Sequence, residues 1–564
     1  MYRDPRSARG RRAAAYREQA GGSAELRRGV RQHPVAAVRF DADTVYGAFE
    51  GAARRWPDRA MLCTLPGVAE IYDIPAGELT YGAALAEVGA LAARFADAGY
   101  GAGMRVGLLL ENRPVFFVIW LALNKLGASV VPINPDLRAA ELEYLIAHAE
   151  LALIISIPTR MEELGAAAGE AGVDLAVIPP EGMPPRPRAG AAVAEARTGE
   201  AREAAILYTS GTTGRPKGCV LPNTYFLMAG EWYAALGGIA TLRQDGERMI
   251  TPLPIFHMNA MAYSFMAMVA VGGCLIALDR FHPRQWCSDV AASGATCLHY
   301  LGVMPSMLMG LPEGPHDSAH AVRFGFGAGV DPKLQEAFET RFGFPLVEAW
   351  AMTETGAGAV IAAASEDRLV GQASIGAPGS EVEVRLEGDS PDQGELLVRH
   401  AGRDPRRGFF SHYEKDAEAT AQAWAGGWFH TGDIVRRGAD GNYFFVDRKK
   451  NVIRRSGENI AAVEVESILM RHPAVRAAGV AAVPDEMRGD EVFACLVADA
   501  DAEEIARWCL GQMAYYKVPG YIAFVDALPL TPTQKIQRAA LKALAAELLP
   551  QAADLRHLKK RQVA

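Results

Sequence analysis

The chain has 564 residues, half of them hydrophobic, with 58 Lys and Arg against 66 Asp and Glu for a formal charge of −8. That length and apolar content can bury a large core and call for at least two domains, while the mild acidity excludes a broad nucleic-acid footprint, so an anionic substrate must be met by local positive charge. The seven cysteines, at 63, 219, 274, 287, 297, 495 and 509, are scattered with no CxxC pair, which excludes a disulfide or zinc framework and reads as small core residues in a reducing, cytoplasmic setting.

Residues 1–38 crowd nine arginines (Arg3, Arg6, Arg9, Arg11, Arg12, Arg17, Arg27, Arg28 and Arg31) into a segment with few apolar side chains. No apolar run follows them, so the segment reads as a disordered basic extension or an over-early start rather than a secretory signal. From Arg105 short strand-like runs alternate with helical periods: Val106–Leu110, Pro114–Leu126 and Ala128–Ile133 spell a βαβ unit and hence a parallel sheet with helices on its faces. The alternation returns from Leu151 to Ile178 and from Arg248 to Met309. The uncharged run Met258–Leu278 is of membrane-spanning length. It nevertheless holds Asn259, Tyr263, Ser264 and the pair Gly272-Gly273, which suit a buried helix turning into a strand at Cys274–Leu278, so no integral membrane segment is expected.

Ahead of that third stretch lies Ile206-Leu207-Tyr208-Thr209-Ser210-Gly211-Thr212-Thr213-Gly214-Arg215-Pro216-Lys217-Gly218. An apolar strand feeds a loop of hydroxyls and glycines that closes on a lysine. Glycines let successive backbone N–H groups converge on an anion, the hydroxyls add donors or a magnesium contact, and Lys217 adds charge. The string therefore reads as a polyphosphate cradle rather than a flexible Gly/Thr surface turn. It is not a Walker A loop, where Ser or Thr follows the lysine at a helix start; here Lys217 stands between Pro216 and Gly218. The turn at 326–330 and the segment 348–354 also follow strand-like runs. Ligands bind at the carboxyl ends of strands in such sheets, so all three can face one crevice.

After Gly379 the text changes to short strands and tight turns, with Gly394–His400 and Asp440-Gly441-Asn442 between alternating residues. After Asp447 a compact unit is expected: a strand Asn451–Arg455, a helix about Val463–His472, strands near Arg476–Val483 and Val492–Val497, and a helix near Glu503–Met513. The expected organisation is a large domain at 39–447, a small α+β domain at 448–550 and a tail at 551–564.

Further strings follow in order: Pro254-Ile255-Phe256-His257-Met258-Asn259, Phe326-Gly327-Ala328-Gly329, Glu348-Ala349-Trp350-Ala351-Met352-Thr353-Glu354, Trp428-Phe429-His430-Thr431-Gly432-Asp433, Asp447-Arg448-Lys449-Lys450 through Gly457-Glu458-Asn459, and Pro532-Thr533-Gln534-Lys535-Ile536. With the phosphate loop, this series resembles the adenylate-forming (AMP-binding) superfamily of acyl-CoA synthetases, adenylation domains and luciferases, over positions 40 to 548. Within it the Phe-Gly-Ala-Gly string and Arg454-Arg455-Ser456-Gly457-Glu458-Asn459-Ile460 are most similar to carnitine/crotonobetaine-CoA ligase-like enzymes. The implied fold is α/β: a large domain of parallel βαβ layers plus a distorted β-barrel-like subdomain, and a small mobile α+β domain.

The implied chemistry is two-step. Carboxylate attack on the α-phosphorus of ATP gives acyl-AMP and pyrophosphate; a thiolate, that of coenzyme A, then displaces AMP. The first step sets anion against anion and needs concentrated positive charge and donors. By resemblance, Thr209, Ser210, Gly211, Thr212, Thr213, Gly214 and Lys217 hold the phosphates, Thr353 bonds the α-phosphate, and Glu354 with Thr209 holds Mg²⁺. Gly327, Ala328, Gly329 and Ala349 would border the adenine, Trp350 would stack on it, and Asp433 with Arg448 would take the ribose. Lys535 would bridge the carboxylate and the α-phosphate, Lys450 would be the hinge, and Ser456, Gly457 and Glu458 would line the thiol channel. His257, Met258, Asn259, Gly302, Val303 and Ala351 would border the acyl group, with His257 as a gate. The chain departs from the family in Trp350-Ala351 for the common Tyr-Gly pair, where the Ala351 methyl narrows one wall, and in Gln534 for the usual Gly.

The leading reading is an ATP-dependent acyl-CoA synthetase for a small-molecule carboxylic acid, short or medium in length, with a homodimer left open. A stand-alone adenylation enzyme loading a carrier protein and a non-catalytic nucleotide sensor are the alternatives. A luciferase-like oxygenase fits less well, because Arg454 stands where such enzymes have a lysine. Trp232, Tyr233, Tyr263 and Tyr300 sit in segments that could border the acyl site. They are either ordinary core or a cage for a cationic acid of the carnitine type.

Overall fold

The computed structural model describes residues 39–192, 197–209, 216–448, 452–530 and 536–560; the basic segment 1–38 lies outside them. The first βαβ unit forms as strand Arg105–Leu109, helix Val115–Lys125 and strand Ser129–Pro132. Val106 stands opposite Val130 on one side and Leu153 on the other, in parallel register. The helix between is apolar all round and buried from Phe116 to Asn124, as a helix covered on both faces must be. Phe117 stacks on Phe265 with ring centroids 4.3 Å apart, and the Trp120 indole donates to the Ala204 carbonyl.

Two sheets are built from residues before 449. One runs His412–Tyr413, Lys217–Pro222, Glu203–Thr209, Ser129–Pro132, Arg105–Leu109, Leu153–Ser156 and Val177–Ile178. The other has a parallel centre, Ala60–Thr64, Cys274–Ala277, Arg248–Thr251, Cys297–Leu301, Phe324–Ala328 and Leu346–Trp350. It continues through the short strand Ile361–Ala362 into antiparallel strands Ser374–Pro378, Tyr443–Arg448, Phe429–Arg437, Gln393–His400 and Val382–Ser390. The barrel-like subdomain expected here does not close. Among the described residues Val382–Ser390 pairs with Gln393–His400 alone, and because Ile361–Ala362 bonds Trp350 on one edge and Pro378 on the other, the antiparallel strands form an open wing of the parallel sheet.

The uncharged run folds as a buried π-helical segment Asn259–Phe265 passing into helix Met266–Val271. Gly272 then turns the chain at φ 63° into strand Cys274–Ala277. A side chain at Gly272 would strike Trp56. No helix among the described residues is long and apolar enough to cross a membrane. Six of the cysteines are buried and Cys287 is half-buried, all as free thiols.

The third sheet uses only residues from Val452 onward. The expected strands and helices are Val452–Arg455, Ala462–Leu469, Val475–Asp485, Gly489–Ala498 and Ala502–Leu510. Sequence patterning did not anticipate the return strand Glu458–Ala461, which makes Val452–Arg455 one arm of a hairpin. It also left out Tyr521–Phe524, parallel to Gly489–Ala498, and Ala553–Asp554, which ties the expected tail onto that strand.

Candidate active site

The strands on either side of the phosphate loop, Glu203–Thr209 and Lys217–Pro222, pair antiparallel with Thr209 opposite Lys217. Ser210, Gly211, Thr212, Thr213 and Gly214 lie outside the described residues. Lys217 Nζ stands 3.4 Å from Asp416 Oδ2 and 4.8 Å from the centre of the Tyr413 ring. The Tyr413 hydroxyl donates to Oε1 of the buried Glu354 at 2.9 Å. Cys219 lies beside both expected metal ligands: Thr209 Oγ1 is 3.9 Å from its sulfur, and burial, followed by the Glu354 charge, pushes its thiol pKa far up. One carboxylate and one hydroxyl, with other positions left to water and phosphate, is a donor set that suits Mg²⁺. Tyr413 and Asp416 had no sequence signal. They arrive because Tyr413 pairs with Cys219 across strands and the buried Arg105 clamps Glu414 to Glu203, each at 2.9 Å.

The expected nucleoside residues sit on neighbouring strand ends. Gly327 and Ala328 close strand Phe324–Ala328, and Gly329 follows at φ 82°. A β-carbon on Gly327 would strike the Tyr300 carbonyl oxygen, and one on Gly302 the Gly329 carbonyl oxygen, so the backbones here approach as only glycine allows. Glu348 holds this turn: it accepts from the Gly329 and Val330 N–H groups at 2.8 and 3.2 Å and from the Tyr300 hydroxyl. Burial raises its pKa, and those donors partly offset the rise. A glutamate ending the apolar run Leu346-Val347 was the available signal for it. Ala349 and Trp350 end the next strand, and the buried Trp350 Nε1 donates to Asp433 Oδ2 at 2.8 Å. Asp433 is buried and stands opposite Arg448 in strand register. Thr353 is half-buried in the turn leading to Glu354.

On the acyl side, His257 and Met258 are half-buried ahead of the π-helical segment, and Gly302 and Val303 open helix Val303–Met309. Ala351 is half-buried after Trp350. Asn259 faces inward: its Oδ1 is 2.7 Å from His299 Nδ1, and His299 Nε2 is 3.1 Å from the Tyr233 hydroxyl. Burial pushes His299 down to about 3, so the ring is neutral, donating from Nδ1 and accepting at Nε2. The aromatic segment is core. Tyr233, Tyr263 and Tyr300 are buried, their hydroxyls spent on His299, the Gly356 carbonyl and Glu348, and Trp232 donates to Glu381. Their hydroxyls are committed and three of the four rings are buried, which leaves them no open cationic cage.

Residues of the third sheet meet this side directly. The hairpin turn carries Ser456 at φ 51° and Gly457 at φ 89°. Glu458 Oε1 lies 3.3 Å from His257 Nε2, and a side chain at Gly457 would strike Leu301. A second contact is a buried ion pair, Lys517 Nζ bridging Glu141 and Glu464 at 2.6 Å each, and beside it the half-buried Asn134 donates to the Tyr516 hydroxyl at 2.9 Å. Lys450 and Lys535 lie outside the described residues.

Residues 49–403 match the AMP-binding enzyme family and residues 464–535 the AMP-binding enzyme C-terminal domain. A sulfoacetate–CoA ligase of Cupriavidus necator is 31% identical over 520 residues, covering 88% of this chain and 97% of the relative. A crotonobetaine/carnitine–CoA ligase of Shigella flexneri is 29% identical over 81% and 91%. The o-succinylbenzoate CoA synthetase of Bacillus subtilis shares the fold. A double mutant bound with its product analogue matches at TM-score 0.74 and 23% identity over 88% of this chain and 98% of that one; the complex with the acyl-adenylate intermediate matches at 0.60 and 24% over 88% and 97%. The chain belongs to the AMP-binding enzyme family, among its AMP-forming acyl-CoA ligases.

Proposed function

We propose that this ligase activates a short carboxylic acid bearing a second polar group and transfers it to coenzyme A, with the small domain rotating between the two steps. In the first step the acid's oxygen bonds to the α-phosphorus of ATP and the bond to pyrophosphate breaks. Lys217 and Lys535 offset the charge that gathers there. Mg²⁺, held by Glu354 and Thr209, would supply further positive charge to the phosphates. Trp350, its ring edge fixed by Asp433, takes the adenine face. In the second step the thiolate of coenzyme A bonds to the acyl carbon, the carbon–oxygen bond to AMP breaks, and AMP leaves.

The observation that carries this reading is the hairpin Arg455–Glu458 seated against His257 and Leu301. A turn from the small domain at the acyl side is what a thiol channel requires, and the proposed rotation of that domain lets Lys535 act at the phosphates in the first step. The better match to the relative carrying a product analogue than to the same relative carrying an acyl-adenylate supports two arrangements of one fold. A small acid is supported by relatives named for sulfoacetate and for crotonobetaine or carnitine. The test is kcat/KM for coenzyme A-dependent AMP release with sulfoacetate, carnitine, crotonobetaine, butyrate, octanoate, palmitate and benzoate. A short polar acid should lead; palmitate leading by a wide margin would overturn the substrate class.

A further inference from the structure

The segment after helix Arg538–Leu548 is built into the small domain. Ala553 pairs with Ile522, the Leu555 N–H donates to the Gly520 carbonyl at 2.9 Å, and Arg556 binds Asp554 at 2.7 Å and Asp485 at 3.2 Å. It ends on Lys559, whose side chain is 0% exposed and whose Nζ bonds Glu491, itself 0% exposed. The same carboxylate takes Arg455 Nε through both oxygens, at 2.9 and 2.8 Å. Arg455 is the residue immediately before Ser456-Gly457, the turn that meets the large domain. The segment reaches that turn by a second route as well. Asp485, held by Arg556, accepts the Arg488 N–H at 2.9 Å, and the Arg488 carbonyl in turn accepts the Ser456 N–H at 2.9 Å.

We propose that Ala553–Lys559 is a positioning element for thioester formation, Lys559 setting the height of the hairpin turn through Glu491 and Arg455. A buried carboxylate shared by two cations is a poor source of stability, and its best-attested use is to fix register. Burial, then the neighbouring Arg455 charge, pushes Lys559 down to about 7 against the pull of Glu491, so this arrangement is costly for the lysine. What it gains is one rigid seat for Arg455. Removing Lys559 takes one donor from Glu491 Oε1, which keeps only Arg455 Nε and the Val492 N–H, and so lets the carboxylate and the Arg455 side chain re-seat, and the turn next to it has no slack. Ser456 and Gly457 both hold left-handed backbone, and Gly457 already touches Leu301.

This rests on the hairpin's role in the second step, and the experiment separates the two. In the full chain, Lys559→Met keeps the side-chain volume and should lower thioester formation from supplied acyl-AMP about tenfold while ATP–pyrophosphate exchange stays within twofold. Glu491→Gln should repeat that split, and deletion after Ala552 should deepen it. Gly457→Leu, at the turn itself, should abolish thioester formation. If Gly457→Leu leaves that step intact, the hairpin's role fails. If Gly457→Leu abolishes it and Lys559→Met leaves it unchanged, or lowers exchange by the same factor along with the unfolding temperature, the positioning role fails.

Discussion

The nucleotide side and the acyl side of this site are held by different means. Apart from the Lys217–Asp416 ion pair at the phosphate loop, the groups on the nucleotide side are fixed by contacts inside one sheet: glycine backbones packed against Tyr300 and Gly329, Glu348 on two N–H groups, and Trp350 on Asp433. Such contacts leave no freedom to rearrange. On the acyl side the partners come from two domains and are joined by charge: Glu458 with His257, and Lys517 between Glu141 and Glu464. Ion pairs across an interface can be exchanged for water or other partners. On the proposed two-step reading, the first kind of support suits the nucleotide, bound through both reactions, and the second suits a boundary where the small domain turns.

The strongest way to break this comparison is Lys535→Ala. It should slow ATP–pyrophosphate exchange at least about a hundredfold, the scale of one lost charge-stabilising donor, and spare thioester formation from supplied acyl-AMP. Equal loss in both half-reactions would mean that the two arrangements are not distinct. Next is Gly302→Ala, which puts a methyl onto the Gly329 carbonyl. Overpacking of this kind costs about 1–3 kcal/mol or more, so the unfolding temperature should drop and exchange should fall about tenfold. Wild-type behaviour would show that the rigid side has slack after all.

Glu141→Gln sharpens the other half. Removing one partner of a buried pair costs about 3–5 kcal/mol, but Glu464 still holds Lys517, so a smaller loss is expected here. The docked arrangement is what suffers, because Glu141 also accepts the Ala514 N–H at 2.9 Å. Thioester formation should fall several-fold with exchange unchanged. A drop in exchange instead would place Lys517 in the adenylating arrangement.

This division also separates what the sequence disclosed from what it did not. The parallel units were legible from their alternation, and the residues expected at the nucleotide could be proposed as a group because strand ends present consecutive residues, so a contiguous string such as Glu348–Glu354 is also a contiguous surface. The interface was not legible. Lys517 and Glu141 are 376 positions apart, and neither a lysine after Tyr516 nor a glutamate in the first turn of helix Ala139–Ala149 differs locally from a solvated one. Tyr413, Asp416 and Lys559 were missed for the same reason. The expected barrel failed because closure depends on which edge finds a partner, and alternation along a strand does not encode that. Asn259 and the tyrosines were placed near the acyl group from their positions in the chain, whereas their side chains turn into the core to satisfy one another.

The smallest effect concerns pH. Burial works against charging His257, but the Glu458 carboxylate more than offsets it, so the imidazole pKa lies above its ordinary value of 6.5. If undocking returns the ring to its ordinary value, docking of the hairpin takes up a proton over this range. The gain is then fully present below about 6.5 and is lost as pH rises through the raised value of the docked state. The His257 ring is 44% exposed, so solvent screens the pair and a change of only about two- to threefold is expected. Thioester formation measured relative to exchange should therefore decline with rising pH in the wild type beyond any trend in Glu458→Gln, which keeps the shape and removes the charge. Added salt should shrink the difference. Parallel profiles in the two proteins would remove this ion pair from the docking interface and leave Lys517 as its main charged contact.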